Sequence, residues 1–237
     1  MTNQLALNLR RRDSSSFDNF YSAANREAVA CLRRLLADPP ALSGPPLMFL
    51  WGERASGKTH LLEAACRLVQ ARGETPFYLP LAEPGLTPAI LEAAEQSFLI
   101  CLDDLQQVAG DRAWESALFS VCESARATGA RVAAAATAAP ASLGLGVPDL
   151  ATRLAAGPVY QLQPLADADK LEAIRLRARN RGFEIPADVA RYILNRYPRD
   201  LSSLFVLLER IDAASLAQQR RVTIPFLRQL EAGPPES

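Results

Sequence analysis

Residues 52–59 read G-E-R-A-S-G-K-T. The stretch fits the phosphate-binding pattern G-x-x-x-x-G-K-[ST] without a mismatch. Glycines at the two fixed positions let the backbone curl until successive N–H groups face an anion. The helix that opens at the loop adds the positive end of its dipole. Lys58 is placed to reach β- and γ-phosphates, and Thr59 offers a hydroxyl to Mg²⁺. Of 26 basic residues only Lys58 and Lys170 are lysines. A chain that writes arginine nearly everywhere has kept a compact point charge at 58. Gly52, Glu53, Arg54, Ala55, Ser56, Gly57, Lys58 and Thr59 are the candidate nucleotide cradle. His60, which follows, reads as a packing residue.

The flanks agree with the loop. LMFLW (47–51) is a continuous apolar run, as expected of a strand buried on both faces. Leu61, Leu62, Ala65, Leu68 and Val69 then recur at helical spacing over about 58–72. Outward from there, strands are predicted at 77–81, 98–102, 131–136 and 159–163, and helices at 22–37, 88–96 and 112–128. Alternation of this kind argues for a parallel sheet covered on both faces. After Pro164 only helices are predicted, at 167–182, 186–197 and 199–219. The expected organisation is a tail over 1–16, an α/β nucleotide-binding core over 17–164 and a helical lid over 165–237. Arg175, Arg177, Arg179 and Arg181 point around their helix and read as a solvated surface.

Composition narrows the function classes. The chain has 237 residues and a formal net charge of zero, so no dominant basic face for nucleic acid is announced. Cys31, Cys66, Cys101 and Cys122 stand singly among apolar residues, which suits reduced, buried thiols in a cytoplasmic protein. No apolar run approaches a membrane span, and no signal-peptide core opens the chain.

FLICLDDL (98–105) is an apolar strand ending in two aspartates. Adjacent carboxylates at the end of a buried strand repel unless a cation or water network accompanies them. Asp103 suits coordination of Mg²⁺ and Asp104 suits polarising an attacking water. Open α/β sheets bind ligands at the C-terminal ends of their strands, which places both motifs on one edge.

These motifs together resemble the AAA+ ATPases, and within them the bacterial replication-initiator group. GERASGKTHLL resembles that group's P-loop region, FDNF (17–20) the segment preceding its nucleotide domain, and VPDLATRLAAG (147–157) its arginine-finger helix. The Hda family of small initiator homologues is the most similar. The likeness is carried by QLALNL near the start, AGDRAWE (109–115), LGLGVPDLATRL (143–154), LQPLADADKLEAIRLRARNRGFEIP (162–186) and VTIPFL (222–227). It implies a RecA-like core followed by a helical lid, with ADP or ATP and Mg²⁺ as cofactors. Arg153 matches the arginine finger, beside an inward pair of Leu150 and Leu154. Arg199 matches the lid arginine called sensor 2, and Thr137 stands where the family has sensor 1, usually Asn or Asp.

The resemblance further implies a function through partners. The protein would bind adenine nucleotide, dock on the DNA polymerase III sliding clamp (its beta subunit) and contact the ATP-bound initiator DnaA. Arg153 would complete the initiator's ATP site, and re-initiation would be prevented. Contact with DNA would be indirect, through the clamp; weak ATPase activity of the chain itself and homo-oligomerisation are left open. Three other readings compete. The initiator itself carries a DNA-binding domain, and this chain ends at GPPES. A helicase loader of the same superfamily has no reason to carry a Q-L-x-L motif. A P-loop kinase for a small substrate would need a polar cluster between core and lid. The QLALNL stretch alternates Leu5, Leu7 and Leu9 after Gln4, which alone would suit an edge strand. Severed from the core by RRRDSSS, it resembles the clamp-binding motif Q-L-x-L-P-L, with Asn8 where Pro is usual. In that mode an extended peptide lays alternate side chains into a groove.

Overall fold

The computed structural model describes residues 15–21, 24–37, 44–198, 201–218 and 220–232. Gln4, Leu5, Leu7, Leu9 and Arg199 lie outside these. The chain divides at Pro164 into two compact units.

The first unit is built on a five-stranded parallel sheet. The strands are β1 (Leu47–Trp51), β2 (Pro76–Pro80), β3 (Leu99–Asp103), β4 (Arg131–Ala136) and β5 (Val159–Gln161). Their spatial order is β2-β3-β4-β1-β5. β4 thus lies between the strand that leads into the phosphate loop and the strand that ends in Asp103. Its register sets Leu47 against Val132 on one side and Cys101 against Ala133 on the other.

Both faces of the sheet are covered, which explains why its central strands read as unbroken apolar runs. Met48, Leu50, Leu99, Cys101, Ala133 and Ala135 face one core, under α1 (Arg26–Leu35) and α2 (Lys58–Ala71). Phe49, Ile100, Leu102, Val132, Ala134 and Ala136 face the other, under α3 (Arg112–Thr128) and α4 (Pro148–Leu154). The alanines of β4 have poor strand preference, yet every residue of that strand is buried. Their small side chains suit a central strand pressed between two helical layers, where burial outweighs propensity. The expected helix over 88–96 is a 3-10 helix, Pro88–Ala94. All four cysteines are buried and free.

The second unit packs α5 (Asp167–Asn180), α6 (Ala187–Arg196), α7 (Leu201–Gln218) and α8 (Ile224–Ala232). Their core includes Ile174, Ile193, Leu204, Leu208, Ile211 and Phe226. α8 was not among the predicted helices. The reading of the α5 arginines as a solvated surface is corrected. Arg177 is buried, its guanidinium 3.8 Å from the centre of the Phe205 ring. Arg181 pairs with Glu209 at 3.4 Å and Asp212 at 3.6 Å, with only 13% of its side chain exposed. Long arginine stems cover apolar surface, and planar guanidinium groups stack on aromatic rings, so a charged residue can belong to a helix's inner side. Among the described residues no helix is long and apolar enough to cross a membrane.

Candidate functional site

The phosphate loop leaves the C-terminal end of β1 and enters α2 at Gly57. Two conformations that side chains resist shape it. Ala55 has φ 61° and Gly57 φ 99°. A Cβ on Gly57 would stand 2.6 Å from the Phe20 ring, so glycine is required there by φ and by space. Lys58 is buried and folds back on the loop, donating to the carbonyls of Gly52 and Glu53, both at 2.8 Å, and to Ser56 Oγ at 3.4 Å. All three ammonium donors are thereby engaged. Burial pulls the Lys58 pKa below its ordinary value, and the charges of Asp103 and Asp104 partly restore it. Glu53, Arg54, Ala55 and Thr59 are exposed along the loop.

The N-terminal segment packs on this loop. Phe17–Asn19 forms a 3-10 turn, Phe20 and His60 stack with ring centres 5.5 Å apart, and His60 Nε2 lies 2.9 Å from the Ser16 carbonyl. Ser15 Oγ donates to Glu63 at 2.6 Å. His60 therefore ties the FDNF segment to the start of α2. Asn25, also buried, exchanges two hydrogen bonds with the backbone of Gln163, fixing the start of α1 to the end of β5.

Asp103 ends β3 almost fully buried and accepts from Tyr78 Oη at 2.9 Å, from the Asp104 backbone at 3.0 Å and from the Thr59 hydroxyl. Burial raises its pKa; the Thr59 and Tyr78 hydroxyls and the Asp104 N–H oppose the rise, and the Asp104 charge adds to it. The structure thus brings Thr59 and Asp103 together, although β4 separates their strands. Their oxygens are hard donors that suit Mg²⁺, and two protein ligands are enough where phosphates and waters complete the shell. Among the described residues no cluster of three or more His, Cys, Asp or Glu could hold a metal unaided. Asp104 takes a left-handed conformation, φ 58°, and its carboxylate accepts from the Gln106 amide at 2.8 Å. The Gln106 carbonyl accepts from the Thr137 N–H at 3.1 Å. Gln106 uses both ends of its amide, which links Asp104 to the end of β4. Sequence reasoning placed Thr137 here but missed Gln106 and Tyr78. Neither carries a motif; a polar aromatic in a strand and a glutamine after two aspartates have no distinctive spacing.

Arg153 sits at the opposite end of the sheet. It is on the last turn of α4, whose Leu150 and Leu154 are fully buried. Its side chain lies in a shallow recess with Pro45, Pro46 and Leu47 at the start of β1, and with Ala130 and Val132 at the start of β4. It pairs through Nε with Glu123 of α3, and 24% of the side chain is exposed. Arg199, the other arginine expected to meet a phosphate, lies outside the described residues.

Residues 167–230 match the family described as Hda, lid domain. The match lies within the second compact unit. Solved structures of AAA+ proteins share the fold of this chain. Domain III of DnaA from Thermotoga maritima aligns with 92% of this chain and 95% of its own length, at TM-score 0.73 and 18% identity. AMPPCP-bound DnaA from Aquifex aeolicus aligns over 89% of this chain and 66% of its own, at TM-score 0.67 and 19% identity. The RuvB Holliday junction branch migration motor of Thermotoga maritima aligns over 92% and 71%, at TM-score 0.64 and 17% identity. These likenesses are of fold: an AAA+ core and a helical lid. The chain spans about two thirds of the length of the longer initiator chains it matches.

Proposed function

We propose that this protein restrains the initiation of DNA replication by presenting Arg153 to the ATP held by the initiator DnaA, while binding an adenine nucleotide of its own at Lys58. The position of Arg153 carries the reading. It lies at the N-terminal ends of β1 and β4, whereas the phosphate loop follows the C-terminal end of β1. A five-residue strand spans roughly 13 Å at about 3.3 Å per residue, more than an arginine side chain bridges. Arg153 therefore suits a nucleotide on another molecule. The fold likeness to an AMPPCP-bound initiator supports ADP or ATP as the ligand of the loop itself.

In its own site the chain's residues divide the work. Lys58 leaves the Gly52 and Glu53 carbonyls to meet a phosphate, and the loop amides and the start of α2 hold the remaining charge. Thr59 and Asp103 would hold Mg²⁺, which when bound screens phosphate charge. Arg54 and Ser56 line the same loop. Asp104, steadied by Gln106, is placed to orient a water, which would give the protein a weak ATPase activity of its own. At the partner's site the guanidinium of Arg153 would meet charge developing on the transferred phosphoryl group, an effect worth roughly 10³–10⁵ in rate. Gln4, Leu5, Leu7 and Leu9 would tether the chain to the DNA-loaded sliding clamp and so raise the local concentration of Arg153 at the initiator.

The test is ATP hydrolysis by DnaA in the presence of clamp-loaded DNA, with this protein, with its Arg153→Ala form and with residues 1–9 deleted. The wild-type chain is expected to accelerate hydrolysis, Arg153→Ala to bind nucleotide and clamp without accelerating it, and the deletion to lose clamp binding. Normal acceleration by Arg153→Ala removes the proposal; binding of the chain to the replicative helicase instead of the clamp would favour a helicase loader.

A further inference from the structure

α3 carries two carboxylates toward α4, one at each end. Glu115 is fully buried, on the stripe that continues through Leu118, Cys122 and Ala125. Its Oε1 accepts from the Gly110 N–H at 2.7 Å and the Gly146 N–H at 3.1 Å, and its Oε2 from the Val147 N–H at 2.7 Å. Val147 caps the start of α4 without a side-chain hydrogen bond of its own. Glu115 thus supplies the acceptor for the backbone that launches the helix. Two turns later Glu123, 41% exposed at its side chain, pairs with Arg153 at the helix's other end.

We infer that Glu115 and Glu123 are positioning residues that hold the arginine finger ready for a partner's nucleotide. The inference rests on the proposed role of Arg153. Geometry separates this from an ordinary surface ion pair. Glu123 forms an ion pair at Nε, the side of the guanidinium, without a hydrogen bond between the two atoms, and among the described residues no hydrogen bond or ion pair takes up Nη1 or Nη2. A charge contact at the side of the guanidinium draws Arg153 toward α3 and leaves its terminal fork, the part that matches phosphate oxygens, for another partner. Glu115 fixes the other end of the same seven-residue helix, so both ends of α4 are tied to α3, one by hydrogen bonds and one by an ion pair. The arginine is then already near its working position when the phosphoryl group reacts, so its ordering does not add to the barrier.

The experiment measures DnaA ATP hydrolysis against concentration of this protein, for the wild type, Glu123→Ala, Glu123→Gln, Glu115→Gln and Arg153→Ala. Nucleotide affinity of each variant is measured alongside as a check on the fold. Because Glu123 is on the surface, its variants fold. Misorienting a catalytic group costs up to about 10²-fold, so Glu123→Ala is expected to lower the maximal stimulated rate by about tenfold. The half-saturating concentration should stay within about twofold, as expected of an interaction made only in the transition state. Glu123→Gln, which keeps the size of the side chain but removes the charge of the ion pair, should recover little of the rate. Glu115→Gln, which loses one acceptor oxygen, should lower it. An unchanged or higher maximal rate in Glu123→Ala overturns the inference and makes the carboxylate a competitor of the phosphate. A loss seen only as weaker half-saturation also overturns it, by making Glu123 a docking contact. Full stimulation by Arg153→Ala overturns this inference together with the proposed function; loss there with normal Glu123 variants overturns this inference alone.

Discussion

Lys58 and Arg153 are cations at opposite ends of one sheet, and their surroundings differ in kind. Lys58 is buried, with every donor satisfied by its own loop. Arg153 is half-buried, with Nε in an ion pair and, among the described residues, no partner at its terminal fork. A buried, self-satisfied cation would have to exchange internal carbonyls for any ligand that enters. A surface cation held from the side is prepared for something that arrives from outside. On the proposed function, the same fold would separate binding a nucleotide from acting on one, by placing the two groups about one strand length apart.

The sharpest way to break this comparison is to remove each cation in turn. Arg153→Ala should cost roughly 10³-fold or more in partner hydrolysis, the scale of an arginine finger, with no change in the chain's own nucleotide affinity. Arg153→Lys should rescue little, because an ammonium lacks the planar fork. Lys58→Ala should do the converse. Loss of a buried charged contact costs about 2–5 kcal/mol, at least about thirtyfold in nucleotide affinity by titration calorimetry. If either substitution moved both readouts equally, the two ends of the sheet would form one functional unit and the distinction would fall.

A smaller effect sharpens the Lys58 end. Gly57→Ala forces a left-handed residue against Phe20 and should destabilise the fold by about 1–3 kcal/mol in denaturant unfolding. Adding Phe20→Ala should return the steric share of that loss and leave the backbone share. Strict additivity of the two substitutions would show that the FDNF segment does not constrain the loop.

How much of this was legible in the sequence follows from what kind of interaction each residue makes. The loop, its strand and helix, and Asp103 were legible because phosphate chemistry demands fixed residue types at fixed spacing. The parallel sheet was legible because strands buried on both faces leave no polar alternation, and β1, β3 and β4 show none. Arg153 emerged only by resemblance; a lone arginine on a short helix has no spacing of its own. Gln106, Tyr78 and Glu123 were missed because they meet partners distant in the chain: Gln106, after β3, meets Thr137 at the end of the neighbouring β4, and Tyr78 on β2 meets Asp103 on the neighbouring β3. Glu115 left one signal. It occupies a position on an apolar helical stripe, at i, i+3, i+7 and i+10 with Leu118, Cys122 and Ala125, where a carboxylate must have partners to be tolerated. α8 was overlooked because Pro225 in its first turn reads as a break, although proline is accepted there.

The gentlest test asks whether Asp103 is a burden to the fold. Burial raises its pKa, the hydroxyls of Thr59 and Tyr78 notwithstanding. A carboxyl with a raised folded-state pKa keeps its proton to higher pH in the folded chain than in the unfolded one. Its contribution to stability is therefore fully present below the ordinary aspartate pKa and is lost as pH rises through the folded value. At neutral pH the ionised Asp103 should be a net cost that Mg²⁺ and phosphates alone would justify. Asp103→Asn keeps an acceptor for Tyr78 and removes the charge, so without nucleotide it should melt higher than wild type at pH 7. For a chain of this size each kcal/mol is worth about 2–4 °C. The gap should close as pH falls below the ordinary aspartate range, and the same variant should lose the Mg²⁺ dependence of nucleotide binding. A variant that melts lower at pH 7 would mean that the three hydrogen bonds to Asp103 outweigh its burial. The carboxylate would then hold β2, β3 and the loop together, as well as awaiting a metal.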